Sequence, residues 1–249
     1  MKILYIHVPK TAGSSINKYF SNNLKSHRFH IEGIHGLNKD ICESYEFISG
    51  HLPYNVIDKM LPLEEWITLI SFREPVSYVI SHLSWVRQLA DPGEEERFNA
   101  HPKPFQRIAR KMTEYDFSNP DDLSDLITWL ENENLLFLHN TQMYFLNGEH
   151  NRSTYSHSQV NAALKNLESI DLVGIQEDIN KFMNMLSMKF EWPANQVVME
   201  NVSRNKYGLD INDDKITKAL FPLYDKDVIV YEKAKKIFEQ QAESFTKID

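Results

Sequence analysis

The sequence predicts an α/β fold, a parallel β-sheet flanked by helices. Three observations carry that reading. Residues 3–8, 66–72 and 171–175 are short, largely apolar runs, as strands buried on both faces of a parallel sheet are. Apolar residues then recur at helical spacing after each run. Strand-like and helix-like segments alternate along the chain, which is the pattern of βαβ units.

The first strand, 3–8, reads Ile-Leu-Tyr-Ile-His-Val, and Pro9 ends it. Residues 10–15 are small and flexible, and Ile16, Tyr19, Phe20 and Leu24 then mark a helix. Residues 45–48 give a second short strand that leads into Ser49-Gly50-His51. Residues 66–72 give the central strand. Arg73-Glu74-Pro75 follows, and Pro75 suits a first helical position because it needs no N–H there. Val76, Val79, Ile80, Leu83 and Val86 share one face of that helix, which runs to about Leu89.

Residues 91–120 are polar, with Pro92, Pro102, Pro104, Pro120 and the run Glu94-Glu95-Glu96. They read as an insertion or lid within a single domain spanning 1–249. Helical patterns resume over 121–132 and 134–146. Residues 171–175 give a further strand and 177–188 an amphipathic helix. Residues 197–199 give a short strand, and 225–238 a long helix with Val228, Tyr231, Ala234, Ile237 and Phe238 inward.

A chain of 249 residues that is 42% hydrophobic and 25% charged fills one core without staples. Lysine plus arginine is 27 and aspartate plus glutamate is 35, a formal charge of −8. That excludes a general nucleic-acid binder, which needs a basic footprint, but leaves room for a local basic pocket. The single cysteine, Cys42, forms no intramolecular disulfide and reads as an inert thiol. The ten histidines form no HExxH helix and there is no cysteine pair, so no metal site is expected. No apolar stretch approaches the length of a membrane span. No basic segment followed by an apolar run opens the sequence, so a cytoplasmic protein is expected.

Two constellations carry chemistry. Lys10-Thr11-Ala12-Gly13-Ser14-Ser15 lies at a strand-to-helix turn. Small residues let backbone N–H groups close around an anion, and the helix N-terminus adds positive partial charge. Lys10 adds a cation, and Thr11, Ser14 and Ser15 add hydroxyl donors. The loop departs from GxxxxGK[ST], because the lysine precedes the glycine and no glycine opens it. An ordinary turn before a helix is the alternative. In the second constellation, Arg73 stands at the carboxyl end of the central strand, where ligands of open α/β sheets bind. Ser81 lies two helical turns on and can share an oxyanion with Arg73. Capping or pairing of Arg73 with Glu74 is the alternative.

With its Pro-Lys-Thr-Ala-Gly-Ser-Ser loop and with Arg73 and Ser81 at this separation, the chain resembles the sulfotransferase family. More closely, it resembles the carbohydrate branch related to heparan sulfate 2-O-sulfotransferase. Ser49-Gly50-His51, Val173-Gly174-Ile175-Gln176-Glu177 and Asn201-Val202-Ser203-Arg204 agree with it. The resemblance implies the sulfotransferase variant of the P-loop nucleoside triphosphate hydrolase-like fold. It implies 3′-phosphoadenylyl sulfate as donor and adenosine 3′,5′-bisphosphate as product. Lys10 to Ser15 would hold the 5′-phosphosulfate, with Lys10 also catalytic. Arg73 and Ser81 would hold the 3′-phosphate, and Arg204, with Lys206 second, would close over it. The Arg-Lys-Gly triplet of the steroid and phenol branch is missing there. His51 would be the general base, with His35 and His82 as spare candidates. His82 reads better as a packing residue, as do Tyr19, Trp66, Trp85, Trp129 and Trp192.

No obligatory Mg²⁺ is expected, since lysine can compensate the modest charge of a sulfuryl group. The expected partner is a hydroxyl-bearing acceptor, a neutral or weakly charged glycan or a small metabolite, in a microbial cytoplasm. A net charge of −8 speaks against a basic groove for an anionic polymer. A P-loop kinase using ATP and a non-catalytic nucleotide-binding module are the rival readings. The lysine position opposes the first, and Lys10, His51 and Arg73 together oppose the second.

Overall fold

Five strands form the centre of the molecule in the computed structural model, which describes residues 1–32, 37, 39–193 and 207–246. The chain runs β1 (Ile3–Ile6), α1 (Gly13–Asn23), β2 (His27–Ile31), α2 (Lys39–Ser44), β3 (Phe47–Gly50) and α3 (Tyr54–Asp58). β4 (Ile67–Phe72), α4 (Pro75–Gln88), α5 (Glu95–Ala100), α6 (Lys103–Lys111), α7 (Pro120–Asn132), α8 (Thr141–Asn147) and α9 (His157–Glu168) follow. β5 (Leu172–Ile175), α10 (Ile179–Phe190), α11 (Asp214–Leu220) and α12 (Asp227–Thr246) complete it.

The sheet is parallel throughout, in the order β2-β3-β1-β4-β5. Every residue of β1, β3 and β5 is buried, which is why these strands are apolar on both faces. β1 is central, and the chain's path reverses there, with β2 and β3 to one side and β4 and β5 to the other. A crevice opens at such a point, outside the carboxyl ends of the strands.

Strand expectations are corrected at three points. The first strand ends at Ile6 instead of running over 3–8. The second apolar strand spans 47–50, not 45–48, because Glu46 serves as lead-in, its carbonyl accepting from Ile3 N at 2.8 Å. β2 was not anticipated. It is an edge strand of sequence His-Arg-Phe-His-Ile, and an edge tolerates polar residues that an apolar-run criterion passes over. The expected strand at 197–199 lies outside the described residues.

The helices bury most of the faces their spacing implies; Val228, expected inward in α12, is exposed, and Val230 is buried in its stead. Ile16, Tyr19 and Phe20 of α1 are buried, and the Phe20 ring stacks on Phe47 with centroids 4.3 Å apart. In α4 the Glu74 carboxylate accepts from Val76 N at 3.0 Å and Ser77 N at 2.7 Å. Glu74 is thus a helix cap, and Pro75 follows at the start of the helix. The polar 91–120 segment contains α5 and α6, and Phe98, Ile108, Ala109 and Met112 anchor it in the core. Among the described residues no helix is long and apolar enough to cross a membrane.

α8 and α12 interlock at their N-termini. Asp227 accepts from Gln142 N at 3.2 Å and Met143 N at 2.7 Å. Asn140 returns the contact, its Oδ1 accepting from Lys226 N at 2.9 Å. These bonds satisfy orphan amides at both helix starts.

Candidate active site

The loop after β1 is held in an uncommon conformation. Lys10 at φ 66° and Ala12 at φ 68° are both left-handed, although neither is glycine. Such residues cost about 1–3 kcal/mol each and persist only where the surroundings fix them. A buried hydroxyl chain does so here. Thr11 Oγ1 donates to Val8 O at 2.8 Å, and Ser71 Oγ donates to Thr11 O at 2.9 Å. Each hydroxyl has one proton, so the 2.6 Å contact between Tyr5 and Ser71 is made by the Tyr5 proton. The Thr11 side chain is therefore committed inward and is fully buried. That corrects the expectation of a Thr11 hydroxyl donor in the loop; only its backbone remains for that role.

α1 starts at Ala12 with no side-chain cap and no acidic residue in its first turn. Its first amides therefore have no partner from a side chain at that end. Ser14 is exposed and Ser15 half-buried, so both hydroxyls are accessible. Gly13 is obligatory for a steric reason. A Cβ there would lie 1.8 Å from Nε2 of His7. Lys10 Nζ sits 5.9 Å from the Trp85 ring centroid. Burial lowers the lysine's pKa, and Arg73 and Arg97 lower it further.

Arg73 is fixed by a clasp that sequence reasoning missed. Gln142 Oε1 accepts from Arg73 N at 2.8 Å, and Gln142 Nε2 donates to Arg73 O at 2.9 Å. The guanidinium reaches back to the loop, Nη1 donating to Lys10 O at 3.4 Å, while its Nε is buried with no partner among the described residues. Burial lowers the Arg73 pKa, with Glu177 and Glu74 opposing, and arginine stays charged in any case. Ser81 is 2% exposed and lines the same cleft as Arg73.

His51 follows β3. Its Nδ1 lies 2.7 Å from His7 O. A carbonyl only accepts, so Nδ1 carries the proton and Nε2 keeps its lone pair. Burial lowers the His51 pKa, against smaller opposing effects of that backbone bond and of Glu32. His82 is buried, 5% exposed, its Nδ1 3.3 Å from Tyr78 Oη, and burial drives its pKa to about 3; it also contributes to the cleft wall. His35, Arg204 and Lys206 lie outside the described residues.

These groups meet in one cleft of about 990 Å³. Its walls carry Lys10, Ala12, Gly13, Ser14, Ser15, His51, Arg73 and Ser81, but not Thr11. Arg97, which is paired with Glu94 at 2.6 Å, and Arg152 also line it, so that among the described residues four cations and one carboxylate, Glu32, line the cleft. A cationic cleft thus sits in a chain of charge −8 and suits an anionic ligand. Comparison with protein-family models and with curated proteins finds no match to this chain.

Sequence reasoning missed Arg97, Phe105, Phe137, Tyr144 and Arg152. Phe105 and Phe137 stack with centroids 4.6 Å apart, and Trp85 packs against Phe105 at 5.6 Å. Trp85 was expected purely in the core; it forms part of the cleft wall instead. Arg152 lies 3.4 Å over the Tyr144 ring centroid and donates to Phe137 O at 2.6 Å. Nothing local marked Phe137, Tyr144 and Arg152, since separate segments bring these residues together in the fold. A usable signal did exist for Arg97 and Phe105, which belong to the stretch read as an insertion or lid.

Outside the cleft, Lys103, Arg107, Arg110 and Lys111 of α6 line a hollow of about 450 Å³ beside Trp129. The low net charge concealed this basic groove. Arg107 is paired with Glu133 at 2.9 Å, and Lys111 with Glu114, which moderates it.

Proposed function

We propose that the chain is a sulfotransferase that moves a sulfuryl group from 3′-phosphoadenylyl sulfate to an acceptor hydroxyl. The observation that carries the reading is convergence. Lys10 with the uncapped start of α1, Arg73 with Ser81, and the lone pair of His51 open onto one cationic cleft. Lys10 with the start of α1, and Arg73 with Ser81, would suit the 5′-phosphosulfate and the 3′-phosphate of such a donor. The third group is a base, which neither anion needs.

On this reading the α1 amides and Lys10 hold the 5′ end, and Arg73 and Ser81 hold the 3′-phosphate. His51 Nε2 takes the proton from the acceptor hydroxyl as its oxygen attacks sulfur. The new S–O bond forms while the bond from sulfur to the phosphate oxygen breaks. Lys10 stabilises the charge that grows on that leaving oxygen. Catalysis is positioning plus electrostatics. The aromatic wall of Trp85, Phe105 and Phe137 offers apolar surface to a ring, and the acceptor is a carbohydrate or a small hydroxylated metabolite.

Calorimetric titration tests the donor site. The chain should bind adenosine 3′,5′-bisphosphate without added metal and more tightly than ATP with Mg²⁺. Arg73→Ala should cost about 1.5–3 kcal/mol for the bisphosphate, the worth of a hydrogen bond to a charged group, and much less for adenosine 5′-phosphate. Equal losses for the two nucleotides would show that Arg73 acts on structure instead. Lys10→Ala should lower kcat for sulfuryl transfer about 10²–10³-fold and weaken nucleotide binding less. Transfer within threefold of wild type would remove Lys10 from the chemistry.

A further inference from the structure

Three neighbouring strands deliver a histidine each to the carboxyl edge of the sheet. His7 follows β1, His51 follows β3, and His30 belongs to β2. The backbone ladder continues into the site, with His7 N donating to Gly50 O and His51 N to Ile31 O, both at 3.0 Å. One nitrogen of each ring lies within 4.8 Å of the others. The three do not hydrogen-bond to one another. His7 is 7% exposed, and its Nδ1 is buried without a partner among the described residues. An unpaired buried imidazole nitrogen is a cost that ordinary packing avoids.

His30 carries a second irregularity. Its φ is 54°, left-handed inside a strand, where β2–β3 pairing shifts between Arg28 and Ile31. That bulge turns the ring toward its neighbours, with centroids 6.1 Å from His7 and 6.2 Å from His51. Strain of this kind concentrates where a side chain must be aimed.

We propose that His7, His30 and His51 form a three-imidazole site for one divalent transition-metal ion of the zinc class. Three imidazoles with a fourth position open to the cleft are a zinc-type donor set. The trio contains no carboxylate, so the harder Mg²⁺ and Ca²⁺ are poor occupants. The Nδ1 bond of His51 to a carbonyl is the outer contact that orients a metal-bound histidine. Occupancy occupies the His51 lone pair, so it inhibits transfer; this second half rests on the sulfotransferase reading, whereas the site itself does not.

The test is a Co²⁺ titration of the untagged, chelator-stripped chain, read by visible absorption, with Zn²⁺ and Mg²⁺ as competitors. The expected result is saturation at one equivalent, displacement by Zn²⁺ and none by Mg²⁺. His30→Asn tolerates a left-handed φ but removes the imidazole. It should weaken Co²⁺ more than about 100-fold, beyond the cost of losing an outer-shell partner. Circular dichroism of the variant verifies the fold. Displacement by Mg²⁺, no saturation at one equivalent, or unchanged binding in folded His30→Asn would overturn the site. Zn²⁺ should inhibit sulfuryl transfer by wild type and spare His30→Asn; equal inhibition of both would overturn the inhibitory half. Co²⁺ binding by a chain that neither binds the bisphosphate nor transfers sulfuryl would leave the metal site standing and remove the sulfotransferase reading.

Discussion

Gly13 and His7 illustrate how a single atom decides the loop. Glycine to alanine at the start of a helix ordinarily stabilises, by about 0.4–1 kcal/mol, through the unfolded chain. Here the sign reverses, because the new methyl would meet Nε2 of His7 at 1.8 Å. Gly13→Ala should destabilise by about 1–3 kcal/mol, the usual cost of overpacking. It should also weaken bisphosphate binding at least tenfold. A thermal melt and a titration check both, and an unshifted melt would show that His7 simply swings aside. The loop, Arg73, Ser81 and His51 do meet around one cleft; the loop, Arg73 and Ser81 stood out because anion chemistry uses few side-chain types near a strand end, and His51 through the resemblance. The inward turn of Thr11 was not, since it depends on Ser71, sixty residues away and with its own partner in Tyr5.

At the level of elements, α8 is the piece that local patterning undervalued. It is seven residues long, yet Gln142 holds both backbone polar groups of Arg73. Gln142→Ala should cost about 1–3 kcal/mol in stability, since it leaves a buried donor and acceptor unpaired. It should also loosen the guanidinium, so affinity falls more for adenosine 3′,5′-bisphosphate than for adenosine 5′-phosphate. A purely structural role would lower both equally, so the ratio of the two affinities is the readout. The buried strands were legible because burial on both faces imposes an apolar run. β2 was not, because an edge strand carries polar residues, and β2 is the strand that supplies His30. The α5–α6 segment showed its polarity but not its inward side, because Arg97 and Phe105 meet Lys10 and Trp85 only in the folded chain.

The whole molecule encloses several neutral histidines, and this sets its response to acid. His139 is fully buried, with neither ring nitrogen hydrogen-bonded among the described residues; burial drives its pKa to about 4, although Glu131 lies 3.4 Å away. His82 is pushed to about 3 by the same cause. Between these values and the ordinary 6.5, the unfolded chain binds more protons than the native one, so stability falls with falling pH. Each such histidine contributes a slope of about 1.4 kcal/mol per pH unit in that window, and nothing above it. Asp227 acts in the opposite sense. Burial raises its pKa from 3.8 to about 7, so its contribution declines as pH rises through that range. Two histidines outweigh one aspartate below pH 6.5, and net loss of stability in acid is expected. Urea unfolding of His139→Leu at pH 5 and pH 7.5 should show a smaller difference than wild type. An equal difference would mean that His139 is charged in the native state.

The interlock of Gln142, Asp227 and Asn140 also has a temporal side. A ribosome releases this chain from its amino end, so the Lys10 loop and Arg73 emerge long before their support. The clasp on Arg73 appears with residue 142, and the carboxylate that anchors the clasp only with residue 227. A nascent chain that already contains β1 to β4 therefore still lacks a rigid Arg73.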